Sequence, residues 1–117
     1  MTVLRIVTNI ATDSVPDVRK FYSDLFGLDA VMDHGWLVTL ASRETTIPQL
    51  SIASEGGSGT PVPDLSIEVD DVGKLYLRAN EMGCRVVYDL TDEPWGVRRF
   101  FITDPTGKLL NVLSHLR

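Results

Sequence analysis

The feature that most constrains this chain is an order of elements that occurs twice. Residues 3–11 are β-branched and apolar-rich, as a strand requires, and Thr12-Asp13-Ser14 then offers capping side chains ahead of Val15, Val18, Phe21, Tyr22 and Leu25 at helical spacing. Gly27 closes that helix as a left-handed cap, and three β-rich runs follow at 30–34, 36–41 and 49–54. A Gly/Pro-rich piece, residues 55–63, is too polar for an element and reads as a linker. The order then recurs. Residues 64–69 alternate as a half-buried strand, Asp70-Asp71 caps a helix carrying Val72, Leu75, Tyr76, Ala79 and Met82, and Gly83 repeats the role of Gly27. Runs at 85–90, 97–103 and 109–114 complete a second βαβββ unit, so that each unit takes about 55 residues and an internal pseudo-twofold is expected.

Such units predict an α+β chain of two tandem βαβββ modules, residues 1–55 and 64–117, joined by the linker 56–63. Each supplies a curved, largely antiparallel sheet with its helix outside, and together they enclose a concave cleft. In the strand at 64–69, Leu65, Ile67 and Val69 are expected to face the helix, and Asp64, Ser66 and Glu68 the cleft.

At 117 residues the chain fits one domain able to build a core without disulfide or metal support. Eleven basic against sixteen acidic side chains give a net charge of −5, which opposes binding to nucleic acid or to an anionic membrane surface. No apolar window is long enough to cross a bilayer and no signal-peptide core opens the chain, so a cytoplasmic location is expected. Cys84, the sole cysteine, forms no intrachain disulfide and suits a reducing compartment.

The last quarter carries most of the chemistry. A Pro94-Trp95-Gly96 loop feeds the run 97–103, Asp104-Pro105-Thr106-Gly107 makes a turn, and an apolar run returns. Trp95, Arg98 and Arg99 thereby gather an aromatic face and two positive charges at one strand end, which suits a flat or anionic small molecule. Tyr22, Phe21 and Tyr76 fall at core spacing on helices. His34 reads as a hairpin residue and His115 as an exposed or interface residue. No catalytic set is visible: the serines lack a nucleophile-elbow context, and Gly56-Gly57-Ser58-Gly59 lacks the Lys-Ser/Thr and the helix of a phosphate loop.

The double βαβββ order resembles the vicinal oxygen chelate superfamily of glyoxalase I, bleomycin-resistance proteins and extradiol dioxygenases. The likeness rests on four pieces in order: residues 21–28 (FYSDLFGL), 67–72 (IEVDDV), 93–100 (EPWGVRRF) and 104–107 (DPTG). The resemblance implies metal ligands on the first and last strands of each half. Those positions fall near Arg5 or Ile6, on Asp64 and on Asn111. A carboxylate and a neutral amide are a weak donor set, so no metal or other cofactor is expected. The Trp95-Gly96-x-Arg98-x-Phe100 piece is most similar to the bleomycin-resistance branch, whose members bind a drug between two subunits without using metal for that binding. That resemblance implies a homodimer holding a small aromatic or anionic ligand. Trp36, Trp95 and Phe100 would offer aromatic faces and Asp64, Glu68, Arg98 and Asn111 polar anchors, with Tyr88 a further aromatic. The alternative is a glyoxalase-like lyase or isomerase that recruits a divalent ion through Asp64, Glu68 and a residue of a partner chain, with Glu68 as proton acceptor.

Overall fold

The computed structural model describes residues 1–43 and 49–117. They form eight strands and two helices in the order β1 (Val3–Ala11), α1 (Val15–Phe26), β2 (Asp29–Asp33), β3 (Leu37–Ala41), β4 (Gln49–Ala53), β5 (Leu65–Val69), α2 (Val72–Glu81), β6 (Val86–Asp92), β7 (Val97–Thr103) and β8 (Leu109–His115). The chain is α+β, with both parallel and antiparallel neighbours. It divides into two compact units, residues 7–62 and residues 63–117 with Met1–Ile6.

In the N-terminal unit the strands run β2, β3, β4, β1 across the sheet, with β1·β4 parallel and the others antiparallel. Its core lies on one sheet face, where Val38, Leu40 and Ile52 meet Val15 of α1, with Ile10, Val18, Tyr22 and Leu28 packed around them. Alternation along β3 and β4 sends Thr39 and Ser51 to the other face, where their hydroxyls bond to each other at 2.8 Å. Gly27 ends α1 at φ 67°, in the left-handed region, and its N–H donates to Ser23 O. Ser14 occupies the N-cap position, yet its hydroxyl donates to Asp17 Oδ2 and leaves the helix N–H groups uncapped by any side chain. The segment expected to be a linker is a closed loop. Gly56 N–H donates to Thr60 O, and Thr60 N–H and Oγ1–H both reach Gly57 O. A Cβ at Gly56 would stand 2.1 Å from Pro61 O, so only glycine fits there.

The C-terminal unit repeats the strand order as β6, β7, β8, β5, again with a parallel first–last pair, β5·β8. Ile67, Val69, Phe100, Val112 and Ile102 pack against Val72, Leu75, Tyr76 and Ala79 of α2. Asp71 caps α2 by accepting from Lys74 N–H at 3.0 Å. The first residues of the chain lie beside β5: Asp70 N–H donates to Thr2 O and Thr2 N–H to Asp70 Oδ1. The same parallel pairing recurs with its polar partners exchanged, Asn9 opposite Ser51 in one unit and Ser66 opposite Asn111 in the other.

Candidate functional site

Within the C-terminal unit α2 fills one face of the sheet and no helix of the unit covers the other, here called the helix-free face, and strand alternation decides which side chains reach it. Phe100 faces Val112 across β7·β8 and belongs to the α2 core. The residues one step away, Arg99 and Phe101, and their partners Leu113 and Asn111, therefore share the helix-free face. Parallel pairing adds Ser66 opposite Asn111 and Glu68 opposite Leu113, and His115 closes the row opposite Val97.

The turn that presents Trp95 is built locally. Gly96 N–H donates to Glu93 O and Glu93 N–H to Val97 O, which closes Glu93-Pro94-Trp95-Gly96 as a four-residue loop with Pro in its second place. The side chain of Glu93 turns back to Arg99: Oε2 lies 2.6 Å from Nη2 and 2.7 Å from Nε, and each side chain is only 3% exposed. Tyr88 donates its hydroxyl to the same Oε2. The Arg99 guanidinium carbon stands 4.9, 5.3 and 4.8 Å from the ring centroids of Trp95, Tyr88 and Phe101. One buried cation thus holds three aromatic rings in place while a carboxylate cancels its charge.

Beside this cluster runs a polar row. Arg5 Nε approaches Glu68 Oε1 at 3.1 Å and His115 Nδ1 approaches Glu68 Oε2 at 3.1 Å. Asn111 donates from Nδ2 to Ser66 Oγ, and its buried Oδ1 has no hydrogen-bond partner among the described residues.

The residues expected from the sequence fall into three groups. Glu68, Trp95 and Asn111 come together on the helix-free face with Ser66, as β5 alternation requires. Phe100 and Arg98 do not join them. Phe100 is fully buried under α2 and edge-on to Tyr76, and Arg98, two residues earlier, follows the same alternation toward the helix side. There Arg98 pairs with Asp92, and each partner's hydrogen bond to the other raises the guanidinium's pKa and lowers the carboxyl's. Asp64 is exposed at the start of β5, where Oδ2 accepts from Leu109 N–H. Trp36 belongs to the N-terminal unit, its ring stacked on His34 at 5.9 Å. An open depression of about 560 Å³ in that unit, lined among others by Val15, Arg19, Leu28 and Asp33, carries no aromatic side chain. Of Arg99, Glu93 and His115, the sequence places only Arg99 beside Trp95, as one of two positive charges, and gives neither its burial nor its partner. Period-two spacing from Asn111's partner Phe101 back to Arg99 is the signal that points to the first of them.

The positions at which the family resemblance implies metal ligands do not fit a divalent cation. A guanidinium (Arg5) already engaged by Glu68, an exposed carboxylate committed to a backbone N–H (Asp64) and an amide (Asn111) make up the set. Among the described residues, no three His, Cys, Asp or Glu side chains gather as a metal site.

No curated protein matches the chain. Solved structures do. A Legionella pneumophila chain described as NAD-dependent benzaldehyde dehydrogenase superposes with a TM-score of 0.78 at 13% identity, covering 95% of this chain and 99% of that one. A Streptomyces coelicolor methylmalonyl-CoA epimerase bound to 2-nitronate-propionyl-CoA gives 0.72 at 18% identity, covering 99% and 100%. A glyoxalase/bleomycin resistance protein/dioxygenase superfamily member from Vibrio splendidus 12B01 gives 0.69 at 18%, covering 98% and 100%. Likeness at such identities shows the fold alone. The family is shown by sequence: a family model aligns with residues 4–112, nearly the whole length, and the chain belongs to the Glyoxalase/Bleomycin resistance protein/Dioxygenase superfamily.

Proposed function

We propose that this protein binds a small planar aromatic molecule, without a metal, on the helix-free face of its C-terminal unit. The observation that carries the reading is the buried Arg99–Glu93 pair, which fixes Trp95, Tyr88 and Phe101 around one guanidinium. Side chains locked before the ligand arrives lose little entropy on binding, so the half-buried rings of Trp95 and Tyr88, set over a fully buried Phe101, make a prepared platform. Between the two ligand chemistries expected from the sequence, the geometry favours the aromatic one. Arg5, Arg98 and Arg99 each already face a carboxylate, so a ligand anion would have to displace one. The two carboxylates of the metal-dependent alternative are engaged within the chain, Asp64 by the Leu109 N–H and Glu68 by Arg5 and His115.

We further propose that the protein works as a homodimer in the cytoplasm. Phe21, Leu25 and Phe26 of α1 are each more than half exposed, an apolar surface large for one helix of a monomer; of the two α1 rings whose spacing points to the core, Tyr22 joins it and Phe21 does not. Sedimentation equilibrium tests this directly: a Phe21→Glu/Leu25→Glu variant is expected to sediment as a monomer and the parent chain as a dimer.

Binding is tested with Trp36→Phe protein, in which Trp95 is the remaining tryptophan. Aromatic fragments titrated in the presence of EDTA are expected to change Trp95 emission saturably. Saturable binding that appears only after a divalent cation is added, or no binding by any aromatic fragment, would overturn the reading.

A further inference from the structure

The Glu68–His115 contact says what kind of aromatic molecule the face accepts. A carboxylate only accepts hydrogen bonds: Oε1 is ion-paired with Arg5, whose Nε lies 3.1 Å away, and Oε2 meets His115 Nδ1. In the neutral imidazole the proton therefore sits on Nδ1, and Nε2 carries the lone pair. Glu68 is the ring's only hydrogen-bond partner among the described residues, and the His115 side chain is 47% exposed against 18% for Glu68. The half-buried acid orients the base, and the base's other nitrogen is left as an acceptor.

His115 also stands next to the aromatic cluster. It lies opposite Val97, which is two residues from Trp95 on one side and two from Arg99 on the other. Leu116 N–H donates to Gly96 O at 2.8 Å, tying the end of β8 to the turn that carries Trp95. Two residues of strand span about 6.8 Å, within reach of one aromatic ring and its substituent. The other polar groups of this face are already engaged: Arg5 with Glu68, Arg99 and Tyr88 with Glu93, and Asn111 Nδ2 with Ser66. Asn111 Oδ1 is shielded from solvent.

We propose that the ligand is an aromatic molecule bearing a hydrogen-bond donor, a phenol-type O–H or an indole-type N–H, and that His115 Nε2 accepts it. This rests on the binding reading above and narrows it to a chemical class. A ligand lacking the donor loses the bond and leaves Nε2 desolvated, whereas an aromatic carboxylate brings a second acceptor to an acceptor.

The test uses 4-methylphenol and 4-methylanisole, in which the hydroxyl proton is replaced by a methyl group, titrated into the full chain at pH ~8, above the ordinary imidazole range; His115→Phe separates the lost donor from the added bulk. The phenol is expected to bind about two- to tenfold more tightly than the ether, as loss of one hydrogen bond implies. In His115→Phe the two are expected to bind alike. Imidazole nitrogen NMR of the free protein is expected to show His115 protonated on Nδ1, and Glu68→Gln to remove that preference. Equal binding of the two probes to the parent chain, or a difference that survives in His115→Phe, overturns this proposal while leaving aromatic binding intact. Failure of both probes to bind overturns the binding reading as well.

Discussion

Arg99 and Glu93 stand six residues apart in the sequence and meet across the β6–β7 turn at 2.6 Å, both almost wholly removed from water. Burial of either charge alone is costly, so the pair is stable only as a pair. Arg99→Ala is expected to lower the free energy of unfolding by about 3–5 kcal/mol, because it strands the Glu93 carboxylate and opens a space under three rings. The double variant Arg99→Met/Glu93→Leu, which removes both charges and keeps volume, is expected to recover most of that loss. Urea titrations of the three proteins give the comparison. If the double variant is no more stable than Arg99→Ala, the stranded charge is not the cause.

Strand alternation makes an equally sharp contrast on β7. Phe100 is fully buried in the α2 core, and Phe100→Ala is expected to cost about 3–5 kcal/mol. Arg98→Ala, at a position open to solvent, is expected to leave the urea midpoint and aromatic binding nearly unchanged. A binding loss in Arg98→Ala comparable to that in Trp95→Ala would restore Arg98 to the site.

That contrast also marks where the sequence is legible. Element order, strand and helix types, the left-handed Gly27 and, of the helix-facing set Leu65, Ile67 and Val69, the last two follow from local pattern, and the structure shows each; Leu65 is not among the residues packed in the α2 core. Arg98 and Phe100 stand next to Trp95 in a motif, and the motif alone points to them. Adjacency in sequence is not adjacency on a strand, where neighbours point to opposite faces. Arg99 is one residue away, and Glu93 opens a turn that Pro94 and Gly96 announce, but no local propensity reports that its side chain turns back to Arg99. A lone histidine such as His115 carries no signal by itself. Its role comes from Glu68, 47 residues earlier, through a parallel pairing that only the folded sheet reveals.

The two helices should respond differently to removal of their caps. Asp71 accepts from Lys74 N–H, and Asp71→Ala is expected to cost about 0.5–2 kcal/mol. Ser14 makes no side-chain cap, so Ser14→Ala is expected to cost less than Asp71→Ala in the same thermal or urea assay. The reverse order would mean that the cap geometry is misassigned.

Acid should unfold the protein through carboxylates held ionised by hydrogen bonds. The Thr106 hydroxyl, followed by the N–H groups of Lys108 and Thr106, lowers the pKa of Asp104 below 3.8. The Thr2 N–H does the same for Asp70, and the Tyr76 hydroxyl for Asp89. A group whose folded pKa is depressed binds more protons when unfolded. Its contribution is therefore complete above the unfolded value and is lost as pH falls through the folded one. Urea midpoints are expected to be flat from pH ~7 to ~5 and to fall increasingly below pH ~4, with Asp104→Asn reducing the fall. A midpoint that rises on acidification contradicts the assignment.

The most direct test of the central claim is an amide and indole NMR titration of metal-stripped protein with 4-methylphenol. Metal-free binding on the helix-free face predicts saturable shifts at Trp95, Arg99, Asn111 and His115, with Arg19 and Asp33 unmoved. Shifts centred on the Arg19–Asp33 depression, or shifts that appear only once a divalent cation is restored, would contradict it.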